Sequence, residues 1–480
     1  MITYDKLFLG GSWTKPSDPH LLDIASPHDG SLLGRAAQAL PADIDLAVAA
    51  ARKAFDEGPW PRTAPADRIA AVRRLTELRE SHAAEIAELT SAENGSALWF
   101  TRAGQAGLTR QADAYLRAAE GFGWEETLPG GAQRSVVRRE PIGVVAAVIP
   151  WNSPFSAALA KILPALLAGN TVVLKVSPEN SLTMNLLARL LEETGLPEGV
   201  ISVLPADRET SEHLVRHPDV DKIAFTGSTA AGRRIASLAG AQLKRISLEL
   251  GGKSAAVLLP DADVDAAVQG LKFASLLNNG EACIALTRVL APRGRYEEVV
   301  AALKEMVESL PVGDPADERT FIGPMVRRGQ QQRVLDYIRL GIEEGARLVT
   351  GGPEVPAGLE DGNYVTPTVF ADVDNSMRIA QEEIFGPVLA VIPYDTEDDA
   401  VRIANESEYG LSGGVWSSDE AHALAVARRM RTGTVTVNGA SIGFEGPFGG
   451  FKSSGIGREY GAVGLGQYIE YKTVTMQPQQ

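Results

Sequence analysis

Short apolar runs alternate with longer amphipathic segments through the middle of the chain. The apolar runs have the length of buried strands and lie at residues 144–149, 171–175, 200–204, 222–225 and 245–250. The intervening segments have helical periodicity and lie at residues 155–167, 182–194, 210–216 and 229–238. Near-continuous apolar strands separated by helices predict a parallel sheet that is covered by helices on both faces.

A second series of the same kind starts after Gly251 and Gly252. Its predicted strands and helices lie at residues 254–259, 264–277, 289–291, 388–394, 400–405 and 434–438. Two such series in succession predict an α/β fold class, with two parallel-sheet domains and a boundary near Gly251.

The two ends of the chain have different patterns. The first 120 residues are predicted to be mostly helical, because apolar residues recur at helical spacing from Ile69 to Leu78. The strand-like stretch at residues 134–139 is too polar for a core strand, so it predicts an exposed ribbon. The strand-like tail at residues 468–475 is predicted to pair with this ribbon near Val136.

Composition excludes several classes of partner. The chain has 480 residues and a net charge of −15, which argues against nucleic acid because its binding needs a basic face. No apolar run approaches the roughly 20 residues that span a bilayer, and the start lacks the pattern of a secretory signal, so no membrane partner is expected. The six histidines lack metal-ligand spacing, so we predict no metal site. A single cysteine excludes an internal disulfide and favours a cytoplasmic location.

That cysteine, Cys283, lies in the stretch NNGEACIA at residues 278–285. A lone cysteine is most often a small buried core residue. Here a predicted helix ends just before the stretch and a strand follows it, so the thiol is placed on a glycine-containing turn at the surface of a cleft. A nucleophilic thiol also needs a base or a positive neighbourhood, and a donor for the oxyanion that it creates.

Polar residues at predicted strand ends supply candidates for the base and for the oxyanion donor. Asn152 could donate to an oxyanion, and Glu249 is a carboxylate at an apolar strand end, where a raised pKa suits a general base. The stretch FTGSTAAG at residues 225–232 opens a helix, where backbone N–H groups bind phosphate. Lys175 ends another strand at the edge where ligands bind in such sheets. Each feature alone could also be an ordinary turn, helix cap or ion pair.

In this order the motifs resemble those of the aldehyde dehydrogenase superfamily over essentially the whole chain. The matching segments are PWN at 150–152, LKVSPE at 174–179, FTGSTAAG at 225–232, LELGGKS at 248–254, NNGEACIA at 278–285, EEIFGPV at 382–388 and PFGGFKSSGIGRE at 447–459. The resemblance implies an aldehyde dehydrogenase-like fold with a small β oligomerisation ribbon. Its expected parts are a Rossmann-type dinucleotide-binding domain at 1–121 and 141–250, a catalytic domain at 251–449, and oligomerisation strands at 122–140 and 466–480.

The resemblance also implies a mechanism. Cys283 is expected to attack an aldehyde, while Asn152 and the Cys283 backbone N–H hold the oxyanion. Collapse of this adduct transfers hydride to NAD or NADP and leaves a thioester, which is hydrolysed by water that Glu249 activates. The backbone carbonyl of Lys161 and the carboxylate of Glu459 match the positions of a proton path leading to Glu249.

A set of cofactor contacts follows from the same resemblance. Lys175 is expected to bind the adenosine ribose, and Glu383 with Phe385 the nicotinamide ribose and ring. The family often has Glu where Pro178 stands here, followed in this chain by Glu179, so NAD is expected and NADP stays possible. The expected contacts are Ile149, Pro150, Trp151, Asn152, Lys175, Ser177, Pro178, Glu179, Phe225, Thr226, Gly227, Ser228, Ala231, Leu250, Gly251, Glu383 and Phe385.

The helix after Asn152 is expected to line a substrate tunnel with small side chains. Relatives with narrow tunnels carry large aromatic residues at some of these positions, so a roomy apolar tunnel and a medium or bulky apolar aldehyde are predicted. Arg288 is expected to point away, so no cation is predicted to clamp a substrate carboxylate. The expected tunnel residues are Ser153, Ala157, Ala160, Leu277, Ala282, Ile284 and Phe448.

Two alternatives stay open. One is a CoA-acylating semialdehyde dehydrogenase of the same fold, against which the water-activating Glu249 argues. The other is a non-catalytic binding or structural protein, against which the intact set of Cys283, Glu249, Asn152 and Lys175 argues. The exposed strands at the ribbon leave edges that a second subunit could cover, so a homodimer or homotetramer is predicted.

Overall fold

The computed structural model describes residues 1–128 and 133–477, so the predicted oligomerisation strands at 122–140 and 466–480 lie partly outside the described residues. Two large sheets, each with an apolar core on either face, form the two halves of the molecule. The chain passes from the first sheet to the second between Glu249 and Ala255. The predicted α/β fold class is confirmed.

The first sheet is parallel through its centre. In spatial order its strands are Gly455–Ile456, Arg245–Glu249, Lys222–Thr226, Val144–Val148, Thr171–Val176, Ile201–Pro205, Leu7–Leu9 and Ser12–Thr14. The two central strands are buried on both faces, which explains their unbroken apolar sequences. The carboxyl ends of these parallel strands meet at one edge, and Asn152, Lys175, Ser228 and Glu249 lie at or just beyond that edge.

Helices cover this sheet and connect its strands. Their bounds are Pro41–Asp56, Pro65–Ser81, Ala83–Asn94, Leu98–Glu120, Pro154–Ala168, Ser181–Glu193, Arg208–Arg216 and Thr229–Gly240. Pro154–Ala168 is buried nearly all round, between the sheet and the helices Pro65–Ser81 and Leu98–Glu120. It begins with a proline, which suits the first turn of a helix, and ends at Gly169 with φ +91°. The packed first turn of this helix starts two residues after Asn152 and so holds that residue in place.

The prediction that the first 120 residues are mostly helical is wrong for residues 2–37. The strands Ile2–Tyr4, Leu21–Ala25 and Leu32–Ala37 form a small separate sheet, and the hairpin of Leu7–Leu9 and Ser12–Thr14 extends the first large sheet. These strands are three to six residues long, which is too short for their apolar–polar alternation to stand out in the sequence. They form because the tertiary structure supplies their pairing partners.

The second sheet repeats the arrangement. In spatial order its strands are Arg347–Thr350, Thr368–Ala371, Val388–Tyr394, Arg288–Pro292, Ala255–Leu258, Gly413–Trp416 and Thr436–Val437. Its helices are Val264–Leu276, Tyr296–Glu308, Arg328–Glu343, Arg378–Gln381, Glu397–Asn405 and Glu420–Ala427. The strand predicted at 434–438 is reduced to the pair Thr436–Val437. The turn that carries Cys283 joins the helix Val264–Leu276 to the central strand Arg288–Pro292, so the thiol is placed where the second half meets the first.

The predicted ribbon is confirmed, and it forms a separate three-stranded sheet. Arg134–Pro141 pairs antiparallel with Ile469–Met476 on one side and with Glu125–Leu128 on the other, and Val136 lies opposite Val474. The short helix Gly461–Gly466 precedes the tail strand. Tyr471 is exposed, as is much of the strand that carries it.

Candidate active site

A cavity of about 800 Å³ opens at the carboxyl edge of the first sheet. Its wall contains every residue expected to contact the cofactor, and it also contains Cys283. A single space therefore adjoins both the thiol and the dinucleotide motifs, which lie on separate segments of the chain between residues 149 and 385. The predicted cofactor residues are Ile149, Pro150, Trp151, Asn152, Lys175, Ser177, Pro178, Glu179, Phe225, Thr226, Gly227, Ser228, Ala231, Leu250, Gly251, Glu383 and Phe385.

One wall is a helix N-terminus. Ser228 caps the helix Thr229–Gly240 by accepting a hydrogen bond from the backbone N–H of Ala231 at 3.3 Å. Residues of this first turn line the cavity. At Gly227 a Cβ would lie 2.5 Å from the Phe225 ring, so a larger residue would have to displace that ring from the cavity wall. The positive end of a helix beside a glycine turn suits a diphosphate, and the residues present therefore fit a dinucleotide.

The far end of the cavity is strongly charged. Burial lowers the pKa of Lys175 to about 8, so a ligand hydroxyl or phosphate that hydrogen-bonds its ammonium would compensate for lost hydration. Glu179 pairs with Arg327 at 3.0 Å, and Asp207 uses its carboxylate to cap the helix Arg208–Arg216. Sequence reasoning missed several polar or charged residues of this wall, because their motifs are not distinctive: Arg208, Ser211, Glu212, Arg234, Arg327, Gln330, Arg333 and Tyr409.

The end near the thiol is built around Phe385. Its backbone has φ +65°, a strained conformation for an aromatic residue. Gln330 supports this turn by donating to the Phe385 carbonyl at 2.7 Å. The Phe385 ring meets Trp151 edge-on at 5.5 Å. Glu383 accepts a hydrogen bond from the backbone N–H of Gly252 at 2.9 Å, so the carboxylate and the ring expected at the nicotinamide riboside are held beside each other.

Cys283 is a half-buried free thiol. It follows a turn in which Asn278, Asn279 and Gly280 all have positive φ, at 52°, 60° and 73°. Burial, followed by the carboxylates of Glu383 and Glu249, raises the pKa of the thiol to about 12. The resting thiol is therefore protonated at neutral pH, and its reaction requires a proton acceptor.

Glu249 can accept a proton. Its side chain is buried, and its Oε2 has no hydrogen-bond partner among the described residues. Burial and the neighbouring Glu459 raise its pKa well above the usual range, and the Lys161 ammonium partly offsets this. A Cβ on Gly449 would lie 2.4 Å from Glu249 Oε1, so the glycine of the PFGG motif leaves the space that this carboxylate occupies.

A buried ion pair lies behind the carboxylate. The Lys161 ammonium donates to Glu459 Oε1 at 2.6 Å and to the Thr226 hydroxyl at 2.6 Å. The resemblance assigned the Lys161 backbone carbonyl to the proton path. The structure adds its side chain, which connects Glu459 to the glycine turn of the cavity. Sequence reasoning missed this role because the residues are far apart in the chain.

Asn152 stands at the strand end opposite the cysteine turn. Its amide Nδ2 donates to the backbone carbonyl of Glu281 at 2.9 Å, and the amide has a second N–H for an oxyanion. The side chain of Glu281 is fully buried, and burial raises its pKa well above the usual range.

None of the seven predicted tunnel residues is among those that line the cavity beside Cys283, so the tunnel stays a prediction. Ala160 and Phe448 are buried, whereas Ser153, Ala157, Leu277, Ala282 and Ile284 are half-buried. Sequence reasoning missed an aromatic cluster in which Tyr460 contacts Phe444 and Phe448 with ring centroids 5.0 and 5.4 Å apart. Burial raises the pKa of Tyr460, with Glu459 as the next cause. Neither Tyr460 nor its two partners lines the cavity beside Cys283.

Arg288 points away from the site, as expected. It is buried and donates to the backbone carbonyls of Lys253, Ile403 and Ala404. Within residues 1–128 and 133–477, no group of three or more His, Cys, Asp or Glu side chains could hold a metal ion. In that same part of the chain, no helix is long and apolar enough to cross a membrane.

Comparison with known proteins agrees with the motifs. Residues 13–474 match the profile described as the aldehyde dehydrogenase family. Geranial dehydrogenase from Castellaniella defragrans is 46% identical over 98% of this chain and 99% of its own. An aldehyde dehydrogenase of Mycobacterium tuberculosis solved with NAD+ is 47% identical, with 98% of each chain covered and a TM-score of 0.96. A mutant of aldehyde dehydrogenase C from Pseudomonas syringae, solved with NAD+ and octanal, is 41% identical, with 98% and 96% covered and a TM-score of 0.94.

Proposed function

Because the chain belongs to the aldehyde dehydrogenase family, we propose that it oxidises an aldehyde to a carboxylic acid with NAD, through a thioester on Cys283. The observation that carries this proposal is the shared cavity. One space adjoins the only thiol in the chain and the whole set of expected dinucleotide contacts. The unpartnered carboxylate oxygen of Glu249 supplies the base that hydrolysis requires.

The first half of the reaction is addition and oxidation. The Cys283 thiol gives its proton to a solvent water, and its sulfur forms a bond to the aldehyde carbon. Asn152 and the Cys283 backbone N–H donate to the oxygen that becomes negative, and one such donor is worth about 3–4 kcal/mol in comparable sites. Bound NAD would supply a hydride acceptor. Loss of that hydride re-forms the carbonyl and leaves an acyl group on sulfur.

The second half is hydrolysis. Glu249 removes a proton from water as the water oxygen attacks the acyl carbon, and the thiolate leaves with the released electron pair. The proton on Glu249 then passes to solvent by way of Glu459 and its ion-pair partner Lys161. A carboxylate with a raised pKa suits this task because it is a stronger base towards water than an ordinary carboxylate.

We propose NAD as the preferred cofactor and the cytoplasm as the location. Glu179, Asp207 and Glu212 place carboxylates at the charged end of the cavity, and Glu212 also neutralises Arg234 at 2.8 Å. A 2′-phosphate placed at this end would have to compete with these carboxylates for Arg234 and Arg327. The single cysteine fits a reducing compartment.

The preferred aldehyde is proposed to be medium-sized or bulky and apolar. The small side chains of Ser153 and Ala157 and the aromatic cluster at Tyr460 support this choice. Arg288, the nearest arginine along the chain, uses its guanidinium on backbone carbonyls. The names of the geranial and octanal-bound relatives are consistent with an apolar substrate.

An aldehyde panel tests both the function and the preference. Octanal and benzaldehyde are expected to exceed succinic semialdehyde in kcat/KM by at least about tenfold, because the semialdehyde must bury an unpaired carboxylate. NADH production is followed by absorbance, with NADP in parallel and with or without free CoA. Preference for the semialdehyde would contradict the apolar tunnel, and a strict requirement for CoA would favour the acylating alternative.

The quaternary structure is proposed to be a homodimer or homotetramer. The strand Ile469–Met476 lies at the edge of the three-stranded ribbon and exposes Tyr471 and Val474. Edges of this kind are usually covered. Light scattering at micromolar concentration is expected to give twice or four times the chain mass. Substituting Val474→Lys should lower that mass without unfolding the protein, and a monomeric parent protein would contradict the proposal.

A further inference from the structure

The oxyanion donor and the nucleophile come from different halves of the molecule. Asn152 follows a strand of the first sheet, whereas Cys283 lies on the turn that leads into the second sheet. Oxyanion stabilisation requires donors fixed to within a fraction of an ångström. Something must therefore fix one side of the site against the other.

Asn278 makes that connection. Its Nδ2 donates to the backbone carbonyl of Asn152 at 3.0 Å and to that of Glu281 at 3.3 Å. The Asn152 amide donates to the same Glu281 carbonyl at 2.9 Å. One buried side chain thus contacts both the residue that carries the donor and the carbonyl that orients the donor.

The orientation of the Asn278 amide is determined by its partners. Both groups facing Nδ2 are carbonyls, which only accept, so the nitrogen must be on that side. The Ser96 hydroxyl donates to Oδ1 at 2.6 Å, which fixes the other side. Asn94 extends the same support by donating to the carbonyl of Trp151 at 2.9 Å. The segment at residues 94–96 therefore holds the Asn152 strand end and the cysteine turn together.

We propose that Asn278, oriented by Ser96, is a positioning residue that sets the direction of the Asn152 amide in the oxyanion site. This rests on the proposed function, because it assigns a role within the same oxidation. Asn278 does not touch substrate and acts through Asn152. The backbone of Asn278 is left-handed, a conformation that asparagine tolerates. This conformation brings the side-chain amide back onto the nearby carbonyls.

The test replaces the side chain without straining the backbone. Asn278→Gly keeps the positive φ accessible, and its expected result is an NADH burst slowed about 10- to 100-fold with octanal. The KM for NAD is expected to stay near that of the parent. Alkylation of Cys283 by iodoacetamide, which needs no oxyanion site, is expected to keep its rate.

A double-mutant cycle separates positioning from general loosening of the turn. In an Asn152→Ala background, Asn278→Gly is expected to slow the burst less than about twofold, because its target is already gone. Asn279→Gly is the matched control. Asn279 has the same left-handed backbone but bonds to Gly95, Gly323 and Pro324, so its effect should be additive with Asn152→Ala.

Ser96→Ala provides a milder variant that keeps the turn intact. It is expected to slow the burst in the same direction as Asn278→Gly, and again only when Asn152 is present. Additive effects of Asn278→Gly and Asn152→Ala, or a parent-like burst in the single mutant, would overturn the inference. A parent protein that forms no NADH with any aldehyde would instead contradict the proposed function.

Discussion

Cys283→Ala is expected to lower NADH production by at least about 10⁴-fold, because the mutant lacks the sulfur that must bond to the aldehyde. Cofactor affinity should change little, since the expected contacts lie on other segments of the cavity wall. Trp151 lines the same cavity, so quenching of tryptophan fluorescence by NAD measures that affinity in both proteins.

Retention of NAD binding is the control for folding in this experiment. If the alanine variant binds NAD like the parent and still turns over aldehyde at a substantial rate, Cys283 is not the nucleophile. If it fails to bind NAD, the side chain of Cys283 contributes to cofactor binding. The proposal that Cys283 serves the chemistry while other segments bind the cofactor is then wrong.

Glu249→Gln is expected to release one burst of NADH per active subunit and then to stall, with steady-state turnover at least about 100-fold below the parent. Hydride transfer precedes hydrolysis, and only hydrolysis needs the base. The burst should survive because the Glu249 carboxylate is among the groups that raise the pKa of Cys283. Removing that negative charge makes the thiolate easier to form.

The pH dependence of steady-state turnover gives a second test of Glu249 as the base. Burial and Glu459 raise the pKa of Glu249, and only its deprotonated form accepts a proton from water. Parent turnover should therefore rise with pH through this raised pKa, and the residual activity of the glutamine variant should lack that rise. Loss of the burst itself in stopped-flow absorbance would show that Glu249 mainly activates the thiol.

The sequence predicts the central parts of the fold because they are long and buried. Strands such as Val144–Val148 and Thr171–Val176 are covered on both faces, so hydrophobicity alone marks them. The strands at residues 2–37 escape prediction because their short segments become strands only through pairing with distant partners. The same limit explains why the strand near residue 436 is shorter than predicted.

In the candidate site, too, some features can be predicted from the sequence and others require the fold. Cys283, Glu249 and Asn152 can be found in the sequence because each stands in a recognisable motif at a strand end or turn. The aromatic cluster at Tyr460 and the contact of the Lys161 ammonium with Glu459 cannot, because they join segments that are far apart in the chain. Sequence motifs thus locate the reacting groups, whereas the environment that sets their pKa values requires the fold.

The most direct test of the central claim is the mass of the Glu249→Gln protein after incubation with NAD and benzaldehyde. A benzoyl group is expected on each active subunit, and peptide mapping should place it on Cys283 as a thioester that hydroxylamine removes. Benzoate formed in the burst without any acylated protein, or an acyl group on a residue other than Cys283, would contradict the thioester account.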